Sequence, residues 1–127
     1  MKISVIIPAY NEENTILEIL LKVQQQNRDD RKLEVIVIDD KSEDNTRKIL
    51  KENKNLYTKL IELDKNLGKG GAVREGLKNA TGDYILFQDA DLEYDPREYS
   101  KIFQMIENFS AEVIIGSRFL SPEYTRV

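Results

Sequence analysis

Ile3-Ser4-Val5-Ile6-Ile7-Pro8 and Val35-Ile36-Val37-Ile38 decide the fold. Neither run alternates apolar with polar residues, as a strand with one wet face does. A continuous β-branched run suits a strand covered on both faces, the situation of a parallel sheet packed between helices. With expected strands at Ile3 to Ile7 and Leu33 to Ile38, three more runs, Leu60 to Leu63, Tyr84 to Phe87 and Val113 to Ile115, complete the set.

Helical spacing fills the intervals. Glu13 to Gln26 is predicted as a helix with Ile16, Leu17, Leu20 and Leu21 along its apolar face. The next helix is expected to start at Asp44 and to carry Ile49 and Leu50. Gly71 to Ala80 places Ala72, Val73, Gly76, Leu77 and Ala80 on one stripe, with Gly82 read as the stop signal. A last helix is expected with Asp95 as N-cap, Pro96 as first helical residue, and Tyr99, Ile102, Phe103 and Ile106 facing inward. Strand and helix alternate throughout, which predicts an α/β fold with right-handed crossovers and a mainly parallel sheet flanked by helices on both faces.

At 127 residues the expectation is a single domain, 1–127, with no repeat or linker. Apolar residues make up 40% and charged residues 33%, which is the balance of a globular chain and not of a disordered one. The net charge of -4 gives no nucleic-acid footprint. There is no histidine and no cysteine, so imidazole catalysis, thiolate metal sites and disulfides are excluded, and any metal must be held by oxygen. The run after Met1-Lys2 is too short for a signal peptide, and no stretch approaches the ~20 apolar residues of a membrane span. A soluble chain in a cytoplasmic setting is the expectation.

In open parallel sheets, ligands bind beyond the carboxyl ends of the strands. Three of those ends carry Pro8-Ala9-Tyr10-Asn11-Glu12, Asp39-Asp40 and Gln88-Asp89-Ala90-Asp91-Leu92-Glu93. Close carboxylates repel one another, and a divalent cation relieves the crowding. Oxygen ligands of this kind favour Mg2+ or Mn2+, held through one or two carboxylates and substrate phosphates. The other reading is that these acids cap the following helix, which accounts for Asp95 and extends to Glu93. Asp39-Asp40 likewise has two readings: a carboxylate that accepts the N–H edge of uracil or guanine, Asp40 being the better placed, or a turn built with Ser42 and Asp44. Asn66-Leu67-Gly68-Lys69-Gly70-Gly71 opens a helix and brings backbone and a lysine towards phosphate, or is a flexible turn; its spacing is not that of a Walker loop. Gly116-Ser117-Arg118 supplies a guanidinium that suits a diphosphate, or a surface arginine.

In order and spacing, these pieces resemble the inverting glycosyltransferases of family 2 with the GT-A fold, and in particular the branch of dolichyl- and polyprenyl-phosphate mannose and glucose synthases. The resemblance rests on Ser4 to Glu12, Val37-Ile38-Asp39-Asp40 with Ser42, Asp44 and Thr46, then Asn66, Gly68, Lys69, Gly70 and Ala72. It continues through Thr81-Gly82-Asp83, the Asp-X-Asp of Asp89-Ala90-Asp91 with Glu93, and Gly116-Ser117-Arg118-Phe119, so it covers nearly the whole chain.

The resemblance implies a Rossmann-like GT-A nucleotide-diphospho-sugar transferase fold. It implies that Pro8, Tyr10, Glu12, Ile38 and Asp40 line the nucleoside pocket, with Asp40 addressing the base. Lys69 would help to bind the nucleotide sugar. Asp89, Ala90 and Asp91 would contact ribose and diphosphate, and Asp91 would hold the metal with Asp89 and Glu93, the last standing where many relatives have glutamine. Arg118 would face the donor phosphates, so that Asp91 and Arg118 are the expected catalytic pair. The implied reaction moves a hexose, with inversion, from a UDP- or GDP-linked donor to a polyprenyl or dolichyl phosphate. Family members continue into an acceptor-binding region and often membrane helices, so the chain is expected to be the donor-binding part of a longer protein, one that acts at the cytoplasmic face of a membrane. Two other readings are a catalytically silent nucleotide-sugar-binding module and a transferase with a saccharide hydroxyl acceptor. A sugar-1-phosphate nucleotidyltransferase fits less well, because its glycine-rich N-terminal loop is replaced by Pro8-Ala9-Tyr10-Asn11-Glu12.

Overall fold

The computed structural model describes residues 1–91, Pro96 and the strand Val113–Ile115. The described order is β1 (Lys2–Ala9), α1 (Ile16–Gln24), β2 (Lys32–Asp39), α2 (Thr46–Glu52), a short 3-10 turn at Lys54–Leu56, β3 (Lys59–Glu62), α3 (Gly68–Lys78), β4 (Tyr84–Phe87) and β5 (Val113–Ile115). The five strands form one sheet in the order β3-β2-β1-β4-β5, and all four pairings are parallel. The chain winds outward from β1 in one direction through β2 and β3, then returns through α3 to the other side of β1. That reversal opens a crevice at the carboxyl ends of β1, β2 and β4, where ligands sit in such sheets.

Both faces of the two central strands are buried, as their unbroken apolar runs predict. Ile3, Val5, Ile7 and Ala9 of β1, with Val35 and Val37 of β2, pack under α1 and α2 against Ile16, Ile19, Leu20, Val23 and Leu50. The alternate residues Ile6, Ile36 and Ile38 face α3 through Ala72. Gly76 lets that helix lie close: a Cβ there would sit 2.6 Å from Ile38 Cδ1 and 2.8 Å from Ile6 Cγ2. This two-sided core is the physical reason that strands of period two can be apolar at every position.

The helices depart from expectation in instructive ways. α1 buries Ile16, Ile19, Leu20 and Val23, whereas Leu17 and Leu21, expected inside, are 39% and 46% exposed. It also begins three residues later than Glu13. Residues ahead of it are committed elsewhere: Glu12 N–H donates to Thr46 Oγ1 at 2.9 Å and Glu13 N–H to Asp44 Oδ2 at 3.2 Å. α2 begins at Thr46 rather than Asp44, because the Asp44 carboxylate instead accepts from the Thr46 N–H (2.9 Å) and hydroxyl (2.6 Å). α3 begins at Gly68, so Gly70 and Gly71 belong to the helix itself, and Leu77 is exposed. The expected helix from Asp95 to Ile106 lies outside the described residues, Pro96 excepted.

At the amino edge of the sheet, Glu34 of β2 ties β1 to the turn before β4. Its Oε1 accepts from Ser4 Oγ (2.7 Å) and the Thr81 N–H (2.8 Å), and its Oε2 from Thr81 Oγ1 (2.7 Å). Burial alone raises a carboxyl pKa, but these donors and the Lys2 ammonium outweigh it and hold Glu34 at about 2 against an ordinary 4.5. A depressed folded-state pKa means stabilisation that is present above the unfolded value and lost as pH falls from 4.5 towards 2. Glu34→Gln is therefore expected to lose about 2–3 kcal/mol of stability at pH 7. In urea unfolding the gap between variant and wild type should narrow steadily below pH 4.5. A gap independent of pH would remove the charge from the explanation.

Candidate functional site

The ends of β1, β2 and β4 and the start of α3 enclose a cavity of about 390 Å³. β1 contributes Pro8 and Ala9, and the turn after it Tyr10 and Glu12. Tyr10 is exposed at the rim. Its loop is fixed by Asn11, whose backbone adopts a φ of 52° while its Oδ1 accepts from the Glu43 N–H at 2.8 Å. Asn11 N–H donates in turn to Ser42 Oγ at 2.9 Å. The β1–α1 and β2–α2 loops are thereby joined by bonds between residues about thirty positions apart.

The two acids that end β2 part company. Asp39 shares the inward direction of Val35 and Val37 and is fully buried, where its Oδ2 accepts from Arg47 Nε of α2 and from the Ser42 N–H at 3.1 Å. Arg47 also donates through Nη2 to the Leu63 carbonyl at 2.6 Å, which ties α2 to the end of β3. Asp40 turns into the cavity. Its Oδ1 accepts from the Leu67 N–H at 2.7 Å, its carbonyl accepts from Asn66 Nδ2 at 3.0 Å, and its own N–H donates to the Ala9 carbonyl at 2.9 Å. The turn expected of Asp40 with Ser42 and Asp44 is built by Asp39 with Ser42, and Asp40 faces the cavity.

From β4 come Asp89, Ala90 and Asp91, all of which line the cavity. Asp89, only 12% exposed in its side chain, takes the ammonium of Lys69 at 2.5 Å. That contact brings the glycine-rich helix start against the Asp-X-Asp. Thr15 of the β1–α1 loop donates its hydroxyl to the Ala90 carbonyl at 2.5 Å and lies 3.3 Å from Glu12 Oε2. Burial pushes the Glu12 carboxyl above its ordinary value, the charges of Asp91, Asp44 and Asp89 push it further, and the Thr15 hydroxyl opposes them. Asp44 is the reverse case: burial raises it, but its bonds from Thr46 and the Glu13 N–H prevail and hold it low.

Of the residues expected in the site, Pro8, Tyr10, Glu12, Asp40, Lys69, Asp89, Ala90 and Asp91 meet at the cavity. Ile38 does not line it; it is fully buried one layer below, between the sheet and Gly76. Glu93 and Arg118 lie outside the described residues. Thr15 and Arg47 were not expected, and Asn66 was expected in the glycine-rich loop but given no role in the site. Asn66 carries a local signal, since an asparagine before Leu-Gly is a turn former and its Oδ1 accepts from the Gly68 N–H at 3.1 Å.

The donor set suits a hard divalent ion. Glu12, Asp89 and Asp91 crowd their negative charges around one cavity, and a cation relieves that crowding. Among the described residues no three acidic groups converge as a ready-made cage. Mg2+ and Mn2+ are commonly held by one or two carboxylates together with phosphate oxygens, which needs no such cage.

Known proteins share this architecture. The family described as "Glycosyl transferase family 2" matches residues 4–126. The dolichol-phosphate mannosyltransferase of Pyrococcus furiosus is 36% identical over 121 residues, which is 94% of this chain and 34% of that protein. The crystal structure of S. aureus TarS 1-349 in complex with UDP-GlcNAc superposes with a TM-score of 0.74 at 32% identity, over 87% of this chain and 32% of that one. The mannosyltransferase PcManGT from Pyrobaculum calidifontis, in complex with GDP-Man and Mn2+, gives a TM-score of 0.61 at 36% identity, over 70% of this chain and 27% of that one. The chain thus spans about a third of the length of these three proteins. Its parallel sheet is that of the GT-A glycosyltransferases. With the family's pattern running from Ser4 to Arg126, the chain belongs to glycosyl transferase family 2.

Proposed function

We propose that this chain is the donor-binding part of a divalent-metal-dependent glycosyltransferase that moves a hexose, with inversion, from a nucleoside-diphosphate sugar to a polyprenyl or dolichyl phosphate. The observation that carries the proposal is the convergence of Asp40, Lys69, Asp89 and Asp91 on one cavity from three strand ends and a helix start. The similarity to a dolichol-phosphate mannosyltransferase supports the lipid phosphate as acceptor. The PcManGT complex with GDP-Man and Mn2+ supports the metal. A lipid acceptor brings the longer protein to a membrane surface, which we take to be the cytoplasmic one. Among the described residues no helix is long and apolar enough to cross a membrane.

In this reading Asp40 accepts an N–H of the base, and Asp91 with Asp89 would hold the ion beside the diphosphate. Lys69, whose side chain is 66% exposed at the cavity, can leave Asp89 for a phosphate oxygen once the donor is seated. Arg118 is assigned to the same phosphates. When bound, the metal supplies electrostatic stabilisation of the departing nucleoside diphosphate. A phosphate monoester has a second pKa of about 6 and is largely dianionic at neutral pH, so it can attack without a strong general base. No acid of the cavity needs to be assigned to that task.

The test is transfer by the intact protein from labelled UDP- and GDP-hexoses to polyprenyl phosphate or to a saccharide. The expected result is a glycosylated lipid phosphate, lost on chelation and restored by Mn2+. Transfer to the saccharide hydroxyl alone overturns the acceptor. Donor binding with neither transfer nor hydrolysis overturns the enzyme in favour of a silent binding module.

A further inference from the structure

We infer that Thr15 is a positioning residue for the metal end of the donor site: its hydroxyl holds the peptide between Ala90 and Asp91 and so sets the direction in which Asp91 faces the cavity. The inference rests on the donor-site reading above and goes beyond it by giving a task to a residue that does not line the cavity. Thr15 breaks a rule of helix geometry. It stands at the N-cap of α1, where a threonine hydroxyl ordinarily accepts an N–H of the first turn, yet it makes no such bond. Its Oγ1 lies instead 2.5 Å from the Ala90 carbonyl, 75 positions along the chain, and 3.3 Å from Glu12 Oε2. A carbonyl can only accept, so the single hydroxyl hydrogen goes to the nearer contact.

The Ala90 oxygen shares a planar peptide unit with the N and Cα of Asp91, so a bond on that oxygen fixes the plane from which the Asp91 side chain departs. β4 ends at Phe87, and the Gln88 N–H still donates to the Ile6 carbonyl at 3.0 Å. Past that bond, side chains take over. Gln88 Nε2 donates to the Asp89 carbonyl at 2.9 Å, Lys69 Nζ to Asp89 Oδ1 at 2.5 Å, and Thr15 Oγ1 to the Ala90 carbonyl. The first two act on Asp89, the last on the peptide of Asp91. Thr15 is itself firmly placed: its N–H donates to the Glu12 carbonyl at 3.1 Å and its carbonyl accepts from the Ile19 N–H at 3.0 Å, in a helix whose Ile16 and Ile19 are fully buried. The core beneath α1 is thereby connected to the carboxylate assigned to the cation.

The experiment is calorimetric titration of the intact protein with UDP and with GDP, each with and without Mn2+, in wild type, Thr15→Ala and Thr15→Ser. Alanine removes the hydroxyl at a position where it caps nothing, so urea unfolding is expected to show a folded variant. For the nucleotide that wild type binds, Thr15→Ala is expected to keep the metal-free affinity within ~2-fold and to lose ~10-fold of the tightening that Mn2+ supplies, because the freed peptide must be brought back to its orientation before Asp91 meets the ion. Thr15→Ser keeps the donor, drops only the methyl, and is expected to restore the tightening. Undiminished Mn2+ tightening in Thr15→Ala overturns the inference while leaving the donor site standing. An equal loss with and without Mn2+, or a failure of Thr15→Ala to fold, also overturns it, since the hydroxyl then serves the structure as a whole. So does a Thr15→Ser variant as impaired as Thr15→Ala. Wild type that binds neither nucleotide, or binds without regard to Mn2+, overturns the metal-dependent donor site and the inference with it.

Discussion

Asp91→Ala is expected to lower sugar transfer by about 10²–10³-fold, the range for removing one group that stabilises departing charge. Asp91 lies on the exposed turn after β4, at the cavity and within electrostatic reach of Glu12. The neighbouring acid, Asp89, has its charge answered by Lys69. Asp91 is the carboxylate that the proposed function assigns to the cation. Because the position is exposed, the variant should keep its fold, with stability within about 0.5 kcal/mol of wild type. Calorimetry is expected to show that Mn2+ no longer tightens nucleoside diphosphate binding. A second signature is local: with one of its repelling neighbours gone, the Glu12 pKa should move down towards its ordinary value, which NMR titration reads directly. A variant that retains full Mn2+ dependence would take Asp91 out of the metal site.

Gly82→Ala is expected to cost about 2–4 kcal/mol of stability, from overpacking together with a strained hydrogen bond. A Cβ at this position would lie 2.7 Å from both the N and the Oγ of Ser4 and 3.0 Å from the Lys2 carbonyl. Those atoms are backbone, or a hydroxyl held by Glu34, and cannot swing aside as the end of a flexible side chain can. Moving the chain away would also lengthen the bonds that seat β4 on β1, Gly82 N–H to Ser4 Oγ at 2.8 Å and Asp83 N–H to the Lys2 carbonyl at 2.7 Å. The check is the urea midpoint at unchanged slope. A loss below about 0.5 kcal/mol would show that the seam between β1 and β4 gives way easily.

Gly82 also shows where local reading of the sequence stops. After a helical stripe, a glycine reads as a stop signal, yet α3 has already ended at Lys78 and the glycine's task is to admit a strand from 78 residues earlier in the chain. α1 shows the same limit. Ile16 to Val23 is apolar on nearly all sides, so spacing alone supports more than one buried face, and the position of the sheet chose Ile19 and Val23 over Leu17 and Leu21. The strands were easier, because burial on both faces removes the choice: β4 and β5 have their expected bounds, and β1 and β2 extend theirs by one or two residues at each end. In the site, the residue types were legible from the strand ends, but their pairings were not. Nothing local tells Lys69 that it will meet Asp89, or Thr15 that it will hold the Ala90 carbonyl 75 positions away. The division of labour between Asp39 and Asp40 does follow from period two, once Val35 and Val37 are known to face the helices.

The bonds that join the β1–α1 loop to the β2–α2 loop have a thermodynamic consequence. Asn11, Glu12 and Glu13 spend their backbone N–H groups on Ser42, Thr46 and Asp44, so this wall is ordered by the protein itself. Immobilising a loop on ligand arrival costs conformational entropy, and a wall already immobilised has little left to lose. Contacts made by a nucleoside to this side of the cavity therefore pass almost undiminished into affinity, and a small ligand can be held by few interactions.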